Sequence, residues 1–181
     1  ALVTSLSISI VNKLFSEEKN LYLNQVYGTK VKRSQLYFTS ILLGIFAGLI
    51  GILLAGGGLG GTAISVMKDS SMDLLDFIAI SYNFLPTVLF FTGLAALVLG
   101  WIPTLGKVVY VYLAYSFFLA YFQGILDLPE WFLKTAPYGW LPQMPIESFD
   151  LKIFMIIIGL SSLLIIIGYL GYNRRDMVEG A

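Results

Sequence analysis

From Ser34 to Met67 the chain carries no charged side chain, and Arg33 and Lys68 bound that stretch. A helix crosses about 30 Å of hydrocarbon with roughly 20 residues. The stretch exceeds that need, so it must tilt, kink or extend beyond the bilayer. Three more apolar stretches are long enough to span. They run from Phe77 to Trp101 with Pro86 near the middle, from Leu105 to Leu126, and from Ile153 to Tyr172. Runs this uniformly apolar have no diagnostic period, so length decides their conformation. Membrane strands need only about 9–11 residues and alternate apolar with polar. These stretches do neither. The expected fold is all-α, a polytopic membrane helix bundle with four complete transmembrane helices, the second kinked at Pro86.

Composition agrees. Of 181 residues, 57% are hydrophobic and 12% charged, with mean hydropathy +0.83. Soluble domains carry about 25% charged residues, so too few ionic groups remain here to cover a water-facing surface. Cysteine and histidine are both absent. That excludes disulfides, thiolate chemistry, histidine-ligated zinc and Ser-His triads. The first residues lack a basic region followed by an apolar core and cleavage site. Ala1 to Phe15 reads instead as the end of a preceding membrane helix. Net charge is zero, and no nucleic-acid partner is expected.

Orientation follows from lysine and arginine, which accumulate on the cytoplasmic side. Lys13, Lys19, Lys30, Lys32 and Arg33 precede the first span, Lys107 lies between the second and third, and Arg174 and Arg175 follow the fourth. Lys68, Lys134 and Lys152 lie on the other side, giving eight against three. Asp69, Asp73, Asp76, Asp127, Glu130, Glu147 and Asp150 gather on that second side. Both ends of the chain are therefore expected in the cytoplasm of a cell-membrane protein. Trp101 near the inner boundary, and Trp131 and Trp140 outside, are placed as interfacial anchors. The external loop, 127–150, contains Pro129, Pro137, Pro142 and Pro145, which forbid a long helix. A short interfacial helix around Glu130 to Thr135, then an irregular loop resting on the outer surface, is expected.

Few motifs carry chemistry. Gly56 to Gly61 contains a formal GxGxxG, but a dinucleotide site needs a strand before it and a helix after it. Close helix packing or a flexible helix end is the plainer reading. Gly44 and Gly48, extended by Gly51 and Ala55, form a small-residue face suited to helix packing, with dimerisation the less common use. The four spans hold no Asp, Glu, Lys or Arg in their interiors, where ion-coupled carriers place such groups. Transport through them would draw energy from elsewhere. Asn83, Thr87, Thr92, Ser116, Gln123, Ser161 and Ser162 supply uncharged polar groups. In the third span Tyr110, Phe117 and Tyr121 share one face, and Tyr112 and Tyr115 another. Interhelical packing accounts for such residues, and so does the wall of an amphiphile-binding cavity. Asn83, Thr87, Tyr115 and Tyr121 are the candidates for a substrate path.

Segment 16–35 is the most informative. Glu17 and Glu18 open it, Leu21, Leu23, Val26 and Tyr27 follow, and Lys30, Val31, Lys32 and Arg33 close it. Leu23, Val26 and Tyr27 form a short apolar stripe at helical spacing. It fits a helix lying on lipid, or one that docks a cytoplasmic partner. The Glu-Glu pair, short helix and Val31-Lys32-Arg33-Ser34 leading into a long span resemble the permease subunits of type-2 ATP-binding-cassette (ABC) exporters. The similarity is greatest to exporters of polyketide antibiotics and related multidrug permeases. Asn83-Phe84-Leu85-Pro86, Trp101-Ile102-Pro103, Pro137-Tyr138-Gly139-Trp140-Leu141-Pro142 with Pro145, and Gly171 to Asp176 carry the same resemblance.

The resemblance implies a permease half, the C-terminal one, laid out as 1–15 (end of a preceding helix), 16–35 (cytoplasmic coupling segment), 36–176 (four-helix transmembrane domain) and 177–181 (cytoplasmic tail). It implies an exporter that moves an amphiphilic, antibiotic- or drug-like compound outwards. The chain itself would hold no catalytic residue, metal or cofactor, and ATP and Mg would bind a separate ATPase subunit. Glu17, Glu18, Leu21, Leu23, Val26 and Tyr27 are the expected contacts to that ATPase. A second permease half or a second copy completes the expected partners, with lipid. A non-transporting scaffold or assembly factor that recruits a partner through the same segment is the alternative. An intramembrane enzyme would have few reactive groups to use.

Overall fold

The computed structural model describes residues 1–19, 32–66, 73–126 and 129–174. Among the described residues seven α-helices follow in order: α1 (Leu2–Lys19), α2 (Arg33–Val66), α3 (Leu74–Tyr82), α4 (Leu85–Trp101), α5 (Gly106–Leu126), α6 (Glu130–Leu133) and α7 (Leu151–Arg174). No strand occurs among the described residues. Four units, α2, α3 with α4, α5 and α7, are long and apolar enough to cross a membrane. The ends of α1 and α7 and the starts of α2 and α5 gather at one end of the bundle, called here the basic end. The loop between α5 and α7 marks the opposite, loop end.

The helix α1 runs on to Lys19, past the boundary at residue 15 read from the sequence. It buries Thr4, Ser7, Ile8, Val11, Leu14 and Glu18, spaced three and four apart as one helical face requires. Lys13 and Glu17, one turn apart, pair at 3.6 Å on the exposed side. In α2 one row is buried, Tyr37, Ile41, Gly44, Gly48, Ile52, Gly56 and Gly60. At 34 residues and 1.5 Å each, α2 is about 51 Å long, well beyond the bilayer thickness that the sequence reading had to reconcile.

The second span is broken where a kink is expected. α3 ends at Tyr82, Asn83 and Phe84 turn, and Pro86 lies in the first turn of α4. Proline there forfeits no bond, because the first N–H groups of a helix have no intrahelical acceptor. One turn deeper it would clash with the preceding carbonyls, so the chain restarts just before it. The Asn83 amide donates to the Pro142 carbonyl at 2.9 Å, which ties this break to the loop.

The centre of the bundle is α4, with most of its side chains buried. It packs on α1, α2, α5 and most extensively α7. Glycines set that last approach. A Cβ on Gly93 would sit 2.8 Å from the Ser161 carbonyl oxygen, and one on Gly100 would lie 2.9 Å from the Gly168 Cα. The Gly44–Gly48 face is used inside the chain: Ser7 and Val11 of α1 and Val88 and Thr92 of α4 lie against it. The Gly56–Gly61 run divides, Gly56 meeting Ser81 and Gly60 meeting Phe77, while Gly57, Gly58 and Gly61 face open space. That is packing geometry, and no βαβ unit surrounds it.

The loop does more than rest on a surface. After α6, Ala136 and Pro137 are fully buried and a 3-10 turn follows at Pro137–Trp140. The Tyr138 N–H donates to the Ser116 hydroxyl at 3.1 Å, and its ring lies against Phe84 and Phe91. The expected surface loop thus dips into the mouth of the bundle, because its Ala-Pro-Tyr segment finds polar partners and aromatic rings there. Trp131 remains exposed, whereas the Trp140 indole N–H donates to the Lys134 carbonyl at 2.6 Å and its ring meets Phe90.

Candidate functional site

A cavity of about 380 Å³ opens at the loop end. Val3 and Thr4 of α1, Ile52, Ala55 and Leu59 of α2, Ser81 and Phe84 at the helix break, and Val88 of α4 form three of its sides. Phe117, Ala120 and Tyr121 of α5 form the fourth, and Tyr138 from the loop reaches in. No acidic or basic side chain lines it. Its size suits a small organic molecule, and an apolar wall with a few hydroxyls is the usual lining for one. Tyr138 and Thr4 join their hydroxyls at 2.9 Å across the wall. Burial holds the Tyr138 hydroxyl above the ordinary tyrosine range, and the hydrogen bond with Thr4 offsets part of that. Tyr138 is therefore neutral at physiological pH.

The four residues read as a substrate path do not lie together. Tyr121 is at the cavity, beside Phe117 at a ring separation of 6.0 Å. Asn83 binds the loop. Tyr115 bonds the Thr135 hydroxyl at 2.8 Å, next to Tyr112, whose own hydroxyl donates to the Thr135 carbonyl at 2.9 Å. That aromatic face grips the loop. Thr87 is sealed in the core, where its hydroxyl has no hydrogen-bond partner among the described residues. The cavity residues that sequence reasoning missed, Thr4, Ala120 and Tyr138, give little signal along the chain. Thr4 and Tyr138 are 134 positions apart.

The basic end holds a second constellation. Glu18 is buried and its carboxylate accepts a hydrogen bond from the Tyr172 hydroxyl. The Arg33 guanidinium carbon lies 5.1 Å from the centre of the Tyr172 ring. Of the residues expected to meet an ATPase, Glu17 lies on the exposed side of α1, and Glu18 faces inward. Leu21, Leu23, Val26 and Tyr27 lie outside the described residues.

Four membrane-length units packed around a central glycine-lined helix define a multi-pass membrane protein. Residues 1–173 match the family described as the C-terminal domain of the multidrug efflux system permease Rv1217c. The chain belongs to that family, and with it to the membrane components of transport systems. A search of curated proteins finds no match.

Proposed function

We propose that this domain is the membrane half of an ABC exporter that moves an amphiphilic, drug-like compound outwards. A separate cytoplasmic subunit hydrolyses the ATP, and a second permease half or a second copy completes the pathway. The cavity carries this reading: an apolar wall with aromatic rings and hydroxyls, and no charge, favours a largely uncharged amphiphile reached from the membrane. The charges of the four spans sit in their end turns, as with Arg33, Asp76, Lys107, Lys152 and Arg174. Their charge-free interiors support an energy source outside these helices. The excess of basic residues at one end supports placing that end, and both chain ends, in the cytoplasm.

In this reading the ATPase engages the segment that begins at Glu17 and runs through Leu21, Leu23, Val26 and Tyr27. Its closure biases the helices between two arrangements that differ in affinity for the cargo. The full-length permease, reconstituted with its ATPase, should show ATP turnover stimulated by an uncharged amphiphile such as Nile red. Ala120→Trp fills the cavity and should raise the half-saturating concentration of the probe with assembly intact. Unchanged stimulation in Ala120→Trp removes the cavity from the path. Partner binding without ATP-dependent flux in vesicles favours the scaffold instead.

A further inference from the structure

One tyrosine at the basic end is in contact with both sides of the sequence assigned above to the ATPase. Tyr172, in the last turn of α7, is fully buried. Its hydroxyl donates to Glu18 in the last turn of α1, and its ring lies beside Arg33, the first residue of α2. The ring also packs on Tyr37 at 5.2 Å, and the Tyr37 hydroxyl donates to the Ile165 carbonyl of α7 at 2.8 Å. The neighbouring Gly171 lies against Trp101 at the end of α4, whose indole N–H donates to the Ile167 carbonyl at 3.0 Å. From there the glycine seam fixes α7 to α4, and α4 carries Val88 in the cavity wall.

A buried carboxyl group beside a half-buried arginine is an expensive way to fasten helices. Apolar residues of similar volume commonly stabilise a fold as well or better, and buried polar groups are best attested where they fix register or serve a switch. A hydroxyl-to-carboxyl hydrogen bond is also directional, so the Glu18–Tyr172 contact fixes the end of α1 relative to α7 in a way that apolar packing would not.

We infer that Glu18, Tyr172 and Arg33 form a joint that transmits displacement of the ATPase-facing segment into α7 and α4, with Tyr172 as its positioning residue. The inference rests on the export reading above. In it, the end of α1, the start of α2 and the end of α7 move as one body, and α4 carries the motion to the cavity. Continuity of contacts does not establish coupling by itself; an energetic dependence between the residues does.

The test uses the full-length permease with its ATPase in lipid nanodiscs, with Nile red as the probe. Tyr172→Phe removes one hydroxyl and keeps the ring over Arg33 and Tyr37. Glu18→Ala removes the acceptor, whereas Glu18→Gln retains an acceptor oxygen. Probe-stimulated turnover is expected to fall about fivefold or more in Tyr172→Phe and Glu18→Ala, the low end of an ordinary coupling between sites. In Tyr172→Phe, basal turnover, co-purification of the ATPase and the half-saturating concentration of the probe stay at wild-type values. Glu18→Gln keeps most of the stimulation, and the double variant Tyr172→Phe with Glu18→Ala is no worse than either single one.

Wild-type stimulation in Tyr172→Phe overturns the joint. So does a parallel loss of basal turnover and ATPase co-purification, which marks a merely structural contact. If Tyr172→Phe fails to assemble, equal behaviour of Glu18→Gln and Glu18→Ala overturns it instead. A wild-type protein with no stimulated turnover defeats the export reading itself, a result distinguishable from a coupled wild type with coupled variants.

Discussion

Two hydroxyls in this bundle have opposite circumstances. Thr87 is fully buried and its hydroxyl finds no acceptor among the described residues, whereas the neighbouring Thr92 donates to the Val88 carbonyl at 2.7 Å. A buried donor left unpaired costs on the order of 1–3 kcal/mol. Thr87→Val keeps the shape and removes the orphan group, so it should raise thermal stability in detergent by an amount on the order of 1 kcal/mol. A lower melting temperature in that variant means the hydroxyl has a partner in the working protein. Tyr138 does have a partner in Thr4, and burial holds its hydroxyl above the ordinary value of 10.0. The folded state therefore keeps the proton more tightly than the unfolded chain. Its contribution is complete below about pH 10 and is lost as pH rises through the higher folded value. Thermal melts carried to alkaline pH should decline, and Tyr138→Phe should flatten part of that decline. An identical decline in the variant excludes Tyr138 as a source. Neither residue's situation was legible locally: Tyr138 stood out only as part of a Pro-Tyr-Gly-Trp motif, and the Thr4 it meets is 134 positions away.

Between elements, the crossing of α4 and α7 depends on the absence of side chains. Gly93 and Gly100 on one helix face Ser161 and Gly168 on the other, both pairs seven residues apart, so the helices approach at every second turn. Gly100→Ala or Gly168→Ala would drive a methyl into backbone, with costs of about 1–3 kcal/mol or more where nothing can yield. Gly159, on the same helix as Gly168, has open space where its Cβ would go. Gly159→Ala should be neutral or stabilising by roughly 0.5–1 kcal/mol, since alanine is the better helix former. Melting temperatures of the three variants check the seam; three equal values sink it. Sequence reasoning marked the Gly44–Gly48 pair and passed over this seam, because GxxxG announces itself along the chain and a seven-residue spacing does not. It read the break near Pro86 well, since proline geometry is local. It could place Tyr121 on a helical face without knowing which neighbour that face meets, and so only one of four substrate-path candidates lies at the cavity.

At the scale of the molecule, lipid as solvent makes the long spans legible. Backbone groups in hydrocarbon must bond within their own segment, so an uncharged run of sufficient length has one available conformation. The four spans fall within a few residues of their expected limits for that reason. The external loop follows another rule, because outside the hydrocarbon its course is decided by distant partners such as Ser116 and Asn83. Which end faces the cytoplasm is a question of charge. Lys13, Lys32, Arg33, Lys107 and Arg174 crowd one end, while Asp73, Asp76, Glu130, Glu147 and Asp150 lie at the other. In the proposed topology, retention of basic residues in the cytoplasm directs the loop outward. These 181 residues contain no cysteine, so a single cysteine introduced here reports cleanly in a parent cleared of any others. Ser148→Cys and Asn173→Cys lie on exposed positions at the loop end and the basic end respectively. A membrane-impermeant maleimide applied to intact cells should label the first and reach the second only after permeabilisation. Labelling of Asn173→Cys in intact cells would invert the bundle, and the joint at Tyr172 would then face away from any cytoplasmic ATPase.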